Sequence, residues 1–513
     1  MATLELPGYR VVRGIRATPE EGLRNDVAGF LGQTMRGPLG MPVRVSSRRA
    51  YATVFGGQLA TAATPRAVEA FFANEGEVAW VVRTGRGGAA ASDVADLGAA
   101  RRLTLPGDRL RVTATSPGAW ANGTRVRVDY RAFGPAGGPE LDVRIEVPGE
   151  PAVQRTGLAP DELLSAIATT GLVTASFEGT ALTAAPGATG PAWLPWQLEL
   201  ADGEEPDQSR EDYLDAVTAQ AQVDEIALVC APDLAGDLSA GDHDDVVAAL
   251  ARAAADGQDR LVILAGPSLR PDELTPWRAR IAQAVTDAPQ QRAVAAYAPW
   301  LLAENLMRTP VERYAPANPV GHVCGVIARL DRERGSGWAP ANALVNDAID
   351  VTTATFGSDP NVATEAERVL AMGQQVNLLR CRVGGGLEIW GARTLDPGDG
   401  RQIAHRRLLH RLVRAIRRVA EPLVFDTNGP VLWFTVVRAV SGALLEAFRS
   451  GFLAGETPDQ AYRVTCDATT NTPDRIDAGE VVCEIGFAPA APMEFITLRL
   501  TFGAQGLLEV VEQ

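Results

Sequence analysis

Apolar runs of three to seven residues recur along the chain between polar, Gly- and Pro-rich breaks, and their period changes from region to region. Leu4–Ile15 is extended in pattern, with Pro7 and Gly8 opposing a helix start, and Arg16–Arg24 is polar without an apolar stripe; together they read as an arm. Val27–Leu31 and Val43–Val45 are short strands around the turn RGPLGMP, Arg36–Pro42. Ser47–Phe55 is a helix stopped by Gly56 and Gly57. Thr64 followed by Pro65 predicts a cap and a first-turn proline for a helix over Arg66–Asn74, and Val78–Val82 is a buried strand. Gly85–Ala100 is rich in Gly and Ala and reads as a linker.

Beyond it the texture changes. Leu103–Leu105, Leu110–Thr115, Thr124–Phe133 and Leu141–Val147 are short strands between Gly, Pro and Asn, and RVRVDY (Arg125–Tyr130) alternates as a half-buried strand does. This predicts an inserted β domain running to about residue 200. GEEPDQSRE (203–211) is a polar boundary. Strands Ile226–Cys230, Leu261–Ala265 and Ala293–Tyr297 then alternate with helices Asp244–Ala255 and Asp272–Val285, the pattern of a parallel or mixed sheet. Val320–Arg329 reads as another strand, followed by a Gly-rich loop over Asp331–Pro340. From near residue 370 the prediction is strands Val376–Val383 and Leu387–Thr394, helices Ile403–Val419 and Pro430–Phe452, and strands Tyr462–Asp467, Glu480–Ala488 and Glu494–Phe502. The fold class is therefore α/β (α+β) and multidomain.

At 513 residues the chain has room for about three domains of ~150 residues. A net charge of −15 disfavours a general nucleic-acid binder. All 48 basic residues are Arg, which fits the codon usage of a GC-rich genome. No stretch approaches the roughly 18 uncharged apolar residues of a membrane helix, and MATLELPGYRVVRG has no basic-then-apolar secretory pattern. Cys230, Cys324, Cys381, Cys466 and Cys483 are odd in number, scattered and without a CxxC pair, which argues against a disulfide framework or a zinc site and for buried free thiols. No cofactor or metal site is expected.

Candidate chemistry is sparse. Helix Ile403–Val419 carries one apolar face (Leu408, Leu409, Leu412, Val413, Ile416, Val419) and an Arg stripe of Arg407, Arg411, Arg414 and Arg418, reinforced by Arg406 and Arg417. The stripe is either the solvated face of a core helix or a docking strip for carboxylates, which guanidinium groups pair bidentately. Nucleic acid fits less well, since aromatics do not interleave. TPDQ (457–460) has the capping-box pattern, Thr472-Pro473-Asp474 repeats a cap and proline, and TTNT (469–472) reads as turn chemistry. MEFITLRLTF places Ile496, Leu498, Leu500 and Phe502 on one strand face; it is an ordinary last strand or a donor to another chain's sheet edge. There is no Walker A loop, GxSxG or HExxH. His322 and Cys324 sit two apart without a nearby acidic partner and read as core residues. His243, His405 and His410 lack partners at metal-ligand spacing.

The order of motifs resembles the contractile-tail sheath proteins of phage tails, R-type pyocins and extracellular contractile injection systems. It runs from GFLGQTMRGPLGMPVRVSS and YATVFGG through FFANEGEVAWVVR, TATSPGAWANGTRVRV, AAYAPWL and GVIARLDRERGSGWAPAN. It then continues through GARTL, FDTNGPVLW, LAGETPDQAYRVTCDATTNTPDRIDAG, EIGFAP and PMEFI. The departures are PGYRVV in place of a PGVY-like start, Asn74-Glu75-Gly76 in place of Asn-Gly-Gly, and an inserted domain too variable to match. The resemblance implies an N-terminal arm (1–24), a mixed-sheet core (25–99 and 203–369), an inserted β-rich outer domain (100–202), a C-terminal inner α+β domain (370–502) and a C-terminal arm (503–513). It implies a structural subunit, not an enzyme, that stacks as hexameric rings around an inner tube, with baseplate and cap or terminator proteins as further partners. No direct nucleic-acid contact or membrane insertion is implied. Assembly is expected in a bacterial cytoplasm, within a phage tail or tail-like particle. Arg407, Arg411, Arg414 and Arg418 are the tube-facing candidates; Val11 and Val12 join Ile496, Leu498, Leu500 and Phe502 as inter-subunit strand candidates. The alternatives are an α/β enzyme using 226–330 and a passive, non-contractile polymer.

Overall fold

A computed structural model describes residues 24–97, 103–131, 140–183, 195–267, 271–307, 312–352, 373–382, 386–420, 428–490, 496–502 and 508–512. Val11 and Val12 lie outside the described residues. The chain divides into two compact units, residues 26–407 and residues 408–513 together with 1–25.

The first unit is built on an eight-stranded sheet. Its order is Gly386–Trp390, Val376–Arg382, Val294–Ala298, Leu261–Ala265, Leu228–Cys230, Ala28–Gly32, Ala79–Arg83, Val43–Val45. The inner six strands are parallel and the two edge strands are antiparallel. Alternate residues enter opposite cores. Phe30, Leu228, Ile263 and Tyr297 face one cluster. Leu31, Val229, Leu264 and Ala296 face the other. Both faces are covered, which explains why these strands read as continuous apolar runs. Strands Val376–Arg382 and Gly386–Trp390, expected at the head of the C-terminal domain, pair into this sheet.

Three local expectations need correction. Val320–Arg329 is no strand but the first part of helix Val320–Arg334, closed by Gly335 at φ 88°. Its glycines are contact points. A Cβ on Gly321 would meet Ala67 O at 2.0 Å, and one on Gly325 would meet Phe71 O at 2.6 Å. The helix thus lies backbone to backbone on helix Thr64–Ala73. That second helix starts at Thr64 itself, and the Thr64 side chain does not cap it. Of the expected linker Gly85–Ala100, the described residues 85–97 are not free: Arg86 bridges to Asp207, Ala89 bridges to Glu204, and Ser92–Asp96 is a strand paired with Arg109–Ala114.

The insert has its own core, in which Leu110, Val112, Val126, Val128, Leu141 and Ile145 are buried. One four-stranded sheet orders Pro195–Glu199, Arg125–Arg131, Glu140–Glu146 and Val153–Leu158, and a three-stranded sheet orders Ser92–Asp96, Arg109–Ala114 and Val173–Glu178.

In the second unit, the helix that begins at Ile403 and ends at Ala420 and the helix Pro430–Arg449 contribute Leu408, Leu412, Ile416, Trp433, Val440 and Leu444 to a core completed by Cys483, Ile485 and Phe487. The sheet runs Tyr462–Thr465, Val481–Phe487, Ile496–Phe502, Leu508–Glu512, all antiparallel. The predicted capping box is not formed, because Gln460 reaches past the cap residue Thr457 to the residue before it. Gln460 Oε1 accepts from Glu456 N at 2.9 Å, and neither Thr457 nor Thr472 caps through its side chain. The TTNT segment is turn chemistry. Asn471 bonds Val482 in both directions, at 2.6 and 3.1 Å.

Candidate functional site

In an open parallel sheet, ligands collect at the carboxyl ends of the strands where the order reverses. Here that point lies between Ala28–Gly32 and Leu228–Cys230, and the chain itself fills it. Asp233 Oδ2 accepts from Gln33 N at 2.8 Å and Thr64 Oγ1 at 2.6 Å, and Oδ1 accepts from Thr64 N at 3.1 Å and from Ala63 N. The carboxylate therefore caps the first turn of helix Thr64–Ala73 from across the sheet, satisfying amides that the local sequence leaves open. Burial outweighs these four donors and raises the Asp233 pKa to about 6. Asp237 accepts from Tyr213 OH and Gln33 Nε2, both at 2.6 Å. A Cβ on Gly32 would lie 2.1 Å from Thr64 Oγ1 and 2.2 Å from Asp233 Oδ2. With every carboxylate oxygen engaged and no clearance, this cluster ties strands to a helix.

His322 and Cys324 are both fully buried in helix Val320–Arg334. His322 Nε2 lies 3.4 Å from Asp347 O, and burial, helped by the Arg66 cation, lowers its pKa to about 4. Among the described residues no group of three His, Cys, Asp or Glu side chains is placed to hold a metal.

The Arg stripe does not survive as one surface. Arg407 is a core residue. Its side chain is 1% exposed, donates to Ala227 O at 2.8 Å and forms an ion pair with Asp331, whose side chain is 5% exposed. The correction is physical: a guanidinium on the helix's first turn reaches the end of helix Val320–Arg334. Sequence spacing places Arg407 on a face but does not show that Asp331 waits there. Arg406 and Arg414 are buried as well. Arg411 is half-buried and pairs with Glu446 at 3.0 Å; Arg418 is exposed.

The terminal strand is also placed differently from the expectation. Ile496–Phe502 is an inner strand of its own sheet, paired on one side with Val481–Phe487 and on the other with Leu508–Glu512. Both of its hydrogen-bonding edges are used, so Ile496, Leu498, Leu500 and Phe502 are not an open edge in this conformation. Among the described residues, the outer strands are Tyr462–Thr465 on one side and Leu508–Glu512 on the other.

One functional arrangement was not legible from sequence. Arg36 of the RGP turn donates to Glu150 at 2.7 Å and to Ala52 O at 3.0 Å, and lies 5.2 Å over the Trp120 ring. Gly37 N donates to Ser116 Oγ at 3.1 Å. Arg83 donates to Gly37 O and Pro117 O, both at 3.0 Å. Two buried guanidinium groups thus clamp the insert to the core.

This architecture is the fold of the contractile-tail sheath proteins. The chain superposes on the sheath tail protein of Desulfitobacterium hafniense with a TM-score of 0.62 at 13% identity, covering 98% of this chain and 100% of that one. The sheath tail protein of Listeria innocua gives 0.64 at 13%, covering 93% and 95%. The helical sheath of the anti-feeding prophage in its contracted state gives 0.56 at 18%, covering 96% and 98%. In sequence, 198 residues are 26% identical to the tail sheath protein of Enterobacteria phage T4. They cover 38% of this chain and only 28% of that relative's length. No family model matches the chain.

Proposed function

We propose that this chain is the sheath subunit of a contractile injection particle. It polymerises as stacked hexameric rings around an inner tube and contracts to drive that tube through a target envelope. The observation that carries the reading is the end-to-end match of fold, over 96% of the chain, to a sheath in its contracted state. A neighbour of the same fold is the sheath complex of an extracellular contractile injection system. The subunit works by rigid-body rearrangement between two packings. A difference of a few kcal/mol per subunit, summed over a long polymer, drives the stroke. The filled crevice at Asp233 supports a structural role over an α/β enzyme.

Partners are other copies of the chain, the inner tube, the baseplate and a cap or terminator, met in a bacterial cytoplasm before the particle is released. Arg411 and Arg418 are the tube-facing candidates that the fold leaves at least partly accessible. The N-terminal arm with Val11 and Val12, and the outer strand Leu508–Glu512, supply strand edges to neighbours. Main-chain pairing of this kind persists while side-chain interfaces slide. The exposed Val431 (83%) and Phe434 (68%) on helix Pro430–Arg449 fit a surface that is covered on assembly.

Electron microscopy of the purified chain with tube protein tests the reading. Tubes in an extended and a compact lattice are expected; dispersed monomers under all conditions would overturn it, and a single lattice would favour a passive polymer. Deleting residues 1–20 or 503–513 is expected to abolish polymerisation while the fold still melts cooperatively.

A further inference from the structure

Of the five cysteines, the pair in the second unit has a geometry that its sequence spacing conceals. Strand Tyr462–Thr465 pairs antiparallel with Val481–Phe487, and the last ladder pair is Thr465 with Glu484. The next opposed positions are Cys466 and Cys483. Directly opposed residues of an antiparallel pair have Cα atoms about 4.5–5.5 Å apart, inside the roughly 4.4–6.8 Å that a disulfide spans. Both cysteines are free, Cys483 is fully buried, and Cys466 keeps 7% exposure. The two differ in character. The neighbouring Cys483 thiol holds the Cys466 pKa below the ordinary thiol value, while Cys483 is pushed up by the same neighbour and by burial. Asn471 Nδ2, fixed by its bonds to Val482, donates to Cys466 Sγ at 3.6 Å.

We propose that Cys466 and Cys483 form an oxidisable dithiol, closed by a hydroperoxide into a disulfide across the C-terminal sheet. The Cys466 thiolate attacks the peroxide oxygen and releases hydroxide, leaving a sulfenic acid. Cys483 sulfur then displaces that oxygen, which leaves as water. The balance is two thiols and one hydrogen peroxide giving one disulfide and two waters. Cys466 is the attacking group because it alone of the pair keeps any exposure and its sulfur accepts from Asn471 Nδ2. Cys483 is the resolving group. The product would staple the segment 467–482, including helix Pro473–Asp477, to the sheet.

A second pair provides the comparison. Cys230, on a core strand, and Cys324, on helix Val320–Arg334, also interact, but both are fully buried and neither is reachable.

The test is hydrogen peroxide treatment of the folded full chain, alkylation, trypsin digestion and mass spectrometry. The expected result is a fall from five to three alkylatable thiols per chain, with peptides 464–475 and 476–499 joined and restored by dithiothreitol. Cys466→Ala is expected to abolish the link. Cys483→Ser is expected to leave Cys466 oxidised but unlinked. Five thiols surviving treatment that oxidises the urea-unfolded chain would overturn the proposal. So would a link that instead joins Cys230 to Cys324, or one chain to another.

Discussion

Arg407 and Asp331 form an ion pair inside the first unit, their side chains 1% and 5% exposed, although 76 residues separate them in sequence. The pair ties the first turn of the Ile403 helix to the end of helix Val320–Arg334, and Arg407 extends the tie to Ala227 O. Removing one partner of a buried pair strands the other charge. Asp331→Ala is therefore expected to cost about 3–5 kcal/mol, read as a lower midpoint for the core transition in calorimetry. Arg418→Glu, on the exposed end of the same helix, is expected to stay within about 0.5 kcal/mol of wild type. Equal effects would contradict the placement of Arg407.

Arg36→Ala removes the hydrogen bond to Glu150 and the stacking on Trp120 that hold the insert, along with a bond to Ala52 O inside the core. Hydrogen bonds to charged groups contribute about 1.5–3 kcal/mol each. Limited proteolysis is the direct measure: faster cleavage near Gly85–Gly88 and 203–208 is expected, with the core fragment intact. An unchanged cleavage pattern would show that Arg83 alone suffices.

Asp233 makes stability fall as pH rises through its window. An unfolded Asp titrates near 3.9, whereas the folded group titrates at about 6. Between these values the folded chain keeps a proton that the unfolded chain has released, so the contribution is present below about pH 4 and lost by about pH 6. The stability of wild type relative to Asp233→Asn is expected to be greatest near pH 4 and to shrink toward pH 6.5. A gap that widens with pH would refute the sign.

His322 acts in the opposite sense. Its unfolded value is about 6.5 and its folded value about 4. As pH falls through this interval the unfolded chain takes up a proton that the folded chain refuses, and stability is lost. His322→Gln is expected to melt with a smaller decrement than wild type between pH 7 and pH 5. An equal decrement would assign the acid sensitivity elsewhere.

The inner strands of the core sheet were legible because continuous apolar runs leave a buried parallel strand few alternatives. The Arg-bearing helix was legible from its apolar spacing. Helix Val320–Arg334 was not. Its β-branched residues and two glycines read as a strand, and the glycines show their purpose only against Ala67 and Phe71 of another helix. The arginines misled for a related reason. Spacing places a residue on a helix face but does not identify its neighbour, so Arg407 and Arg418 look alike until Asp331 is in place. Asp233 gave no signal at all, because a cap supplied from 169 residues away leaves no local pattern. The Cys466–Cys483 opposition depends on register, which a strand prediction without its partner cannot supply.

The clamp of Arg36 and Arg83 on the insert has a mechanical consequence. The insert leaves and rejoins the core through a paired neck, at Arg86 with Asp207 and Ala89 with Glu204. The two guanidinium groups remove the remaining freedom beside it. Core and insert then turn through the same angle, without a joint to absorb part of it. A fluorophore or gold label on the insert would therefore act as a pointer fixed to the shaft, and its displacement would report the rotation of the core itself.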